Sequence, residues 1–395
     1  MECSLYFHIP FCTHRCAYCD FNTYAKQEES IPEYVEALCR EIEFVGRNPR
    51  VKSNPIHTVF FGGGTPSLLA PAQFGSILGA IRSNFDLRED AEITTEANPG
   101  TVTLKTLQEF RALGINRISL GVQSANAEEL RMLERIHNFF DVIQAVASAR
   151  KSGFDNINLD LIYGLPEQTF KTWQVSVERI LDLNPEHISA YALTLEHGTP
   201  FGRWSARGML PIPDPDLAAD MYEWASEMFE KAGYLQYEIS NWAKPGRQCK
   251  HNLQYWRGLA YLGLGAGAHG YANGYRYSNA LRIKTYIERL NNLNYSYVGS
   301  GLPNIDFPFS PAAVNQHRQT PQDDMSEFMI TGLRLTDEGI SFPIFSRRFG
   351  QEMGQVYLSE INELTNLGLV ERSNDNLRLT RRGRLLGNQV FMRFL

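Results

Sequence analysis

From residue 3 to about residue 240, short β-rich runs alternate with amphipathic helical stretches, and this rhythm restricts the chain to few architectures. Strands are expected at Ser4–Ile9, Thr58–Phe61, Glu92–Glu96, Arg117–Gly121, Ile157–Ile162 and Ile188–Leu193. Between them, helical periodicity runs through Ile31–Val45, Pro71–Asn84, Leu104–Leu113, Phe139–Lys151 and Phe170–Leu183. A further helix over Leu217–Ala232 precedes a β-rich run at Leu235–Ile239. Such alternation makes parallel strands joined by crossover helices. The strands read as short and continuously apolar, as in sheets covered on both faces. A doubly wound sheet fits the same rhythm, but the polar residues favour a barrel. Gly62–Thr65, Glu96, Gln123, Asp160 and Thr194 fall at or just after strand C-termini, the active end of a (β/α) barrel. The expected fold is therefore α/β, a full or partial TIM-like barrel with a smaller C-terminal domain.

The barrel is expected over residues 1–240, with an extension over 241–290. Residues 291–324, rich in Asn and Pro, read as a linker or surface loop. Beyond it, helical patterns at Met325–Leu335, Ile344–Phe349 and Met353–Leu367 precede a hairpin from Leu369–Arg372 and Leu377–Thr380. Helices followed by a β-wing suggest a winged-helix-like unit over 325–395. Arg378, Arg381, Arg382 and Arg384 cluster there, but no basic recognition helix precedes them, so a solvated or partner-facing surface is expected. With 38 Lys+Arg against 44 Asp+Glu, the net charge of -6 gives no global attraction for nucleic acid. The N-terminus has no charged n-region before an apolar stretch, and no window offers a spanning helix, so a cytoplasmic protein is expected.

Three of the six cysteines, Cys12, Cys16 and Cys19, lie within eight residues, which favours metal binding over disulfides. Cys3 and Cys39 fall in apolar runs and read as small buried hydrophobes. A zinc site would need a fourth ligand, from His14 in the loop or from the distant Cys249 or His251. An iron–sulfur cubane has four irons, so three local thiolates would leave one iron open to a ligand. Phe60-Phe61-Gly62-Gly63-Gly64-Thr65 adds a glycine-rich turn where backbone can approach a small zwitterion closely. Gly265–Gly270 matches G-x-G-x-x-G, but without a following βαβ unit it reads as a close-packed turn.

The segment from Tyr6 through Cys12 to Tyr18-Cys19 resembles the signature loop of radical S-adenosylmethionine proteins. More narrowly, it is similar to the oxygen-independent coproporphyrinogen III oxidases and their heme-chaperone relatives. The resemblance implies a [4Fe–4S] cluster on Cys12, Cys16 and Cys19, with S-adenosylmethionine bound at the open iron. It implies cofactor contacts from Tyr6, Tyr18, Gly63, Gly64, Thr65, Glu96, Gln123, Arg135 and Asp160. In the oxidases some of these contacts serve a second S-adenosylmethionine.

Two features separate the relatives. The oxidases carry another cysteine two residues after the third cluster cysteine, where this chain has Asp20-Phe21. His251-Asn252-Leu-Gln-Tyr255-Trp256 matches the His-Asn-x-x-Tyr-Trp motif of the heme-chaperone branch. Histidine is a common axial ligand of heme iron, and flat aromatic rings pack on porphyrins. The resemblance thus implies a heme chaperone with His251 as heme contact and Asn252, Tyr255 and Trp256 nearby. Its partners would be heme and recipient apo-hemoproteins, among them respiratory enzymes at the membrane surface. The alternatives are coproporphyrinogen III decarboxylation, a radical methyl transfer, and, more remotely, a zinc-bound regulatory protein.

Overall fold

The computed structural model describes residues 3–48, 51, 54–292 and 309–395. Strand β1 (Cys3–Ile9) runs into two short strands, β2 (Phe11–Cys12) and β3 (Tyr24–Ala25), which pair in parallel and bracket the cysteine loop. Helix α1 (Ile31–Gly46) leads to β4 (Ile56–Gly63), α2 (Pro71–Asn84) to β5 (Leu87–Ala97), and α3 (Leu104–Ala112) to β6 (Arg117–Gln123). Next come α4 (Ala127–Met132), α5 (Phe139–Lys151), β7 (Ile157–Tyr163), α6 (Phe170–Asp182) and β8 (His187–Ala192). Asn138 opens α5 as an N-cap, accepting from the backbone N–H of Phe140 and Asp141.

Helices α7 (Pro200–Ala206) and α8 (Pro215–Lys231) precede two short strands, β9 (Leu235–Glu238) and β10 (Asn241–Ala243). Helix α9 (Lys250–Trp256) then introduces β11 (Tyr261–Leu264), β12 (His269–Ala272) and β13 (Tyr275–Asn279), followed by α10 (Ile283–Asn291) and β14 (Ala313–Arg318).

Strands β11, β1, β4, β5, β6, β7 and β8 are parallel neighbours in that order. Antiparallel β10 and β9 extend one edge, and β12, β13 and β14 the other. The outermost strands β9 and β14 do not pair, so the twelve-stranded sheet is an open arc rather than a full barrel.

The strands were expected to be continuously apolar; instead they alternate with period two. Leu5, Phe7, Val59, Phe61, Ile118, Leu120, Leu159 and Ile188 pack into the core with the helices. Tyr6, Phe60, Glu96, Arg117, Ser119, Asn158, Asp160, Ser189 and Tyr191 face a cavity on the other side. That concave side carries the buried polar groups of the sheet.

Glu41 on α1 is 1% exposed and ties the β11–β14 side of the sheet to the rest. Its carboxylate accepts from the Gly265 N–H (2.8 Å), the Asn279 amide (2.9 Å), the Tyr286 hydroxyl (2.6 Å) and the Ser310 hydroxyl (2.5 Å). The Gly265–Gly270 turn lies between antiparallel β11 and β12, with a Cβ at Gly265 2.5 Å from the His8 carbonyl oxygen. It is a close-packed turn, as expected.

Of residues 291–324, expected as a linker, 293–308 lie outside the described residues. The rest is structured: Ala313–Arg318 pairs with β13, and α11 (Pro321–Gly332) begins before the expected boundary. The C-terminal part continues with β15 (Ile340–Ser341), α12 (Phe342–Phe349), α13 (Met353–Val356) and α14 (Leu358–Asn366). The expected helix Met353–Leu367 is broken at Tyr357, whose φ of -119 leaves the helical range. The hairpin β16 (Val370–Arg372) and β17 (Asn376–Leu379) follows as expected, with β17 central between β15 and β16. This part has its own apolar core, including Met329, Phe345, Leu364 and Leu377. Its arginines are engaged on the protein: Arg378 pairs with Glu371, Arg381 with Glu230, and Arg384 donates to Gln236.

The C-terminal part also grips the end of α9. The Arg334 guanidinium lies 4.3 Å from the Trp256 ring centroid and pairs with fully buried Glu238 at 3.4 Å. Arg348 donates to the Gly258 carbonyl at 2.7 Å, and Arg257 pairs with Glu338 at 3.0 Å. Among the described residues no helix is long and apolar enough to cross a membrane.

Replacing Glu41 by Ala leaves several buried donors without an acceptor, a change expected to destabilise by about 3 kcal/mol or more. Urea unfolding measures this, and an unchanged midpoint would refute the assigned role.

Candidate functional site

The cysteine loop leaves the C-terminal end of β1, where β2 and β3 pin its two ends. Cys12 is buried, Cys16 and Cys19 are partly exposed, and all three are free thiols. The Cys19 N–H donates to the Cys16 carbonyl at 3.1 Å, closing a tight turn. A ring of hydrogen bonds joins the sulfurs to the sheet. Thr65 donates to Cys12 Sγ at 3.6 Å and accepts from the Asn98 amide at 3.0 Å. Arg135 donates to the Asn98 side-chain oxygen, to the Gly121 carbonyl at 2.9 Å, and to Cys16 Sγ at 3.6 Å.

Burial pushes the Cys12 thiol up to about 11 against the opposing Thr65 hydrogen bond, and burial also raises Cys19. Both are neutral thiols near pH 7 without a metal. Iron would bind them as thiolates, and Arg135 would offset part of that charge. Among the described residues, no three His, Cys, Asp or Glu side chains are gathered closely enough to hold a single ion. Three thiolates on one zinc, each at about 2.3 Å, must crowd one point, whereas a cubane spreads them over separate irons. Cys249 and His251 do not approach the loop: Cys249 bonds Glu92 at 3.5 Å and His251 bonds Thr58, both near strand N-termini. His14 contacts Glu134 at 3.2 Å. The donor set therefore fits the cluster better than zinc.

The three cysteines face an outer cavity of about 460 Å³. Tyr18, Gly63, Gly64, Thr65, Glu96, Gln123, Arg135 and Asp160 line it too, so eight of the nine expected cofactor contacts converge on the cysteines. Thr194, read as a strand-end polar residue, lines it as well. Tyr6 does not; it lies deeper, its hydroxyl 3.0 Å from His8 Nδ1.

The glycine turn, expected to let backbone approach a small zwitterion, has its N–H groups engaged within the protein. The Gly63 N–H donates to Glu96 at 3.1 Å, that of Gly64 to Ile9 at 2.9 Å, and that of Thr65 to Phe11 at 2.7 Å. Glycine is needed for packing, because a Cβ at Gly63 would stand 2.5 Å from the His8 ring and one at Gly64 2.6 Å from the Phe11 oxygen. The turn anchors the cysteine loop, and these three N–H groups are engaged within the protein. Gln123 lines the cavity with φ 67, a left-handed conformation rare outside glycine.

Beneath lies an inner cavity of about 200 Å³, sharing Glu96, Ser119, Asp160 and Tyr191 with the outer one. Burial first, then the Asp160 charge, raises Glu96 to about 8, opposed by the Gly63 N–H. Burial likewise raises Asp160, although Ser119 and Asn158 each donate to it at 2.8 Å.

Helix α9 closes this cavity, its first N–H groups capped by Glu92: Lys250 and His251 each donate to it at 3.2 Å. His251 is 1% exposed and its ring stacks on Phe60 at 5.1 Å. Its Nδ1 meets the Thr58 hydroxyl at 2.7 Å and its Nε2 the Tyr255 hydroxyl at 2.8 Å. Both ring nitrogens are engaged and burial lowers its pKa to about 3, so it is a neutral strut between sheet and helix. Asn252 and Tyr255 line the inner cavity, while Trp256 lies under Arg334 instead. Asn98, Ser119, Asn158 and Tyr191 were not singled out from the sequence. Only their inward register on strands or strand ends could have marked them.

An open parallel sheet carrying a three-cysteine loop at its C-terminal end defines the class. The description Radical SAM superfamily matches residues 6–180, and HemN C-terminal domain matches residues 319–386. Relatives named "Heme chaperone HemW" include one from Bacillus subtilis, 37% identical over 393 residues and covering 99% of both chains. Another, from Synechocystis, is 41% identical over 342 residues, covering 85% of this chain and 79% of its own. The solved structure of coproporphyrinogen III oxidase (HemN) from Escherichia coli superposes with a TM-score of 0.81 at 25% identity, over 100% of this chain and 90% of that one. The chain belongs to the HemW family within the radical S-adenosylmethionine superfamily.

Glu96 makes a pH prediction. With a folded value near 8 and an unfolded one near 4.5, the folded state holds its proton longer. Its contribution to stability is complete below about 4.5 and is lost as pH rises through about 8. Glu96→Gln should flatten this slope in urea unfolding across that window, and an unaltered slope would contradict the burial of Glu96.

Proposed function

We propose that the protein is a heme chaperone that binds heme and hands it to apo-hemoproteins. The observation that carries this reading is the full-length likeness to the Bacillus subtilis heme chaperone HemW, 37% identical with 99% of both chains covered. Cys12, Cys16 and Cys19 would hold a [4Fe–4S] cluster, and the outer cavity above them would receive S-adenosylmethionine. When bound, the two supply one-electron chemistry; the protein orients them and tunes the cluster through the Thr65 and Arg135 hydrogen bonds to sulfur. Glu96 and Asp160 suit hydroxyl groups of the cofactor, and Tyr18 packs beside the loop. The decarboxylase reading has the structural likeness to HemN in its favour. Against it stands Phe21, 64% exposed at the outer cavity, which puts a phenyl ring where the oxidases have a thiol.

His251 is the proposed heme contact, with Asn252, Tyr255 and Trp256 beside it. Ligation of iron by Nε2 requires that its hydrogen bond to Tyr255, one turn further along the same helix, be given up. The proposed recipients are hemoproteins of the respiratory type, met in the cytoplasm or at the membrane surface.

Anaerobic reconstitution should give about four irons per chain, and Cys12→Ala should lose most of them. Arg135→Leu should lower the cluster's midpoint potential, since hydrogen bonds to sulfur stabilise the reduced state; an unchanged potential in an EPR-monitored redox titration rejects that role. Heme titration followed in the Soret region tests the chaperone, with His251→Ala expected to weaken binding and shift the band. Failure of wild type to bind heme, or robust anaerobic decarboxylation of coproporphyrinogen III, overturns the proposed function.

A further inference from the structure

Arg117 is the first residue of β6, and its side chain enters the inner cavity. It is 2% exposed, yet its Nε has no hydrogen-bond partner among the described residues. Burial opposes its charge, while the nearby carboxyl groups of Glu92 and Asp160 favour it. The nearby acids have other donors. Glu92 caps α9, Asp160 accepts from Ser119 and Asn158, and Glu96 accepts from the Gly63 N–H. A buried guanidinium whose Nε–H has no acceptor is costly, and a ligand that supplies an acceptor would relieve that cost.

The size and chemistry of the space say what that ligand is. About 200 Å³ lies below the roughly 300–1,000 Å³ of sites that take whole drug-sized molecules. It suits a small molecule, or one arm of a larger molecule reaching down from the outer cavity past Glu96 and Asp160. The guanidinium fork matches a planar pair of oxygens, the geometry of a carboxylate. Asn252 and Tyr255, from the floor, and Tyr191, from β8, offer further polar contacts around it.

The geometry points to a carboxylate-binding subsite in the inner cavity, in which Arg117 receives the carboxylate of a ligand through paired N–H donors. That carboxylate is either free or an arm of a larger ligand; only the assignment of that arm to heme, whose macrocycle bears propionates, rests on the proposed function.

Sodium propionate is the probe for the first source. Thermal unfolding of the full chain should show a saturable rise in Tm with propionate over sodium chloride at equal ionic strength. The rise should vanish in Arg117→Gln, with folding checked by circular dichroism. Arg117→Lys keeps the charge without the fork and should bind propionate about tenfold more weakly. If Arg117→Gln does not fold, Arg117→Lys alone decides. No saturable rise in wild type, or the same rise in the folded variants, overturns the subsite. Heme and its dimethyl ester then separate the sources. A heme arm at Arg117 makes Arg117→Gln weaken heme but not the ester, whereas equal loss or no loss for both assigns the subsite to a free carboxylate. Wild type that binds propionate but not heme refutes the chaperone reading and leaves the subsite standing.

Discussion

Glu96, Asp160, Arg117, Asn158 and His187 all project from parallel strands toward the concave side of one sheet, where water is scarce. Each such group is destabilising unless it finds a hydrogen-bond partner or a charge of opposite sign. Much of the architecture supplies those partners. Asn158 donates to Asp160 and meets His187 Nδ1 at 2.6 Å, and His187 reaches the Tyr237 hydroxyl at 2.8 Å. Below, α9 covers the strand N-termini and is capped by Glu92. Above, the cysteine loop covers the strand C-termini and is seated by the glycine turn. A polar interior between two covers is a ligand chamber by construction, which the apolar filling of an ordinary barrel is not.

The longer helices of the first half were readable almost to the residue, since α2 and α5 have the bounds that their periodicity and end signals imply, whereas the six-residue α4 was missed. Strand positions were legible, but their character was misjudged. In runs such as Arg117–Gln123 the inward residues include Ser119 and Gly121, small enough that the run passes for apolar throughout. The order of strands from β11 to β13 was missed because each has four or five residues and no sustained pattern. Helix α9 was missed for the same reason, spanning only Lys250–Trp256.

Within the site, motif spacing located the cysteines and most of the outer cavity, because those residues lie near one another in sequence or end successive strands. What spacing could not convey is depth. Tyr6 and Tyr18 both belong to the signature loop, yet one lies below the outer cavity and the other on its wall. Glycine content correctly marked the turn at Gly62–Gly64, but the cause is contact with His8 and Phe11, not exposure of its peptide groups. Arg117 gave no local signal at all; its meaning depends on neighbours contributed by β5, β7 and α9.

The grip of the C-terminal part on α9 makes that part a lever. Trp256 is clamped by Arg334 on one helical turn of the segment whose other turn carries His251. An object that pulls on Arg334 or Arg348 therefore transmits force to the floor of the chamber through a helix of seven residues, too short to absorb the motion by bending. The floor of the chamber is thus held from outside by contacts that line neither cavity.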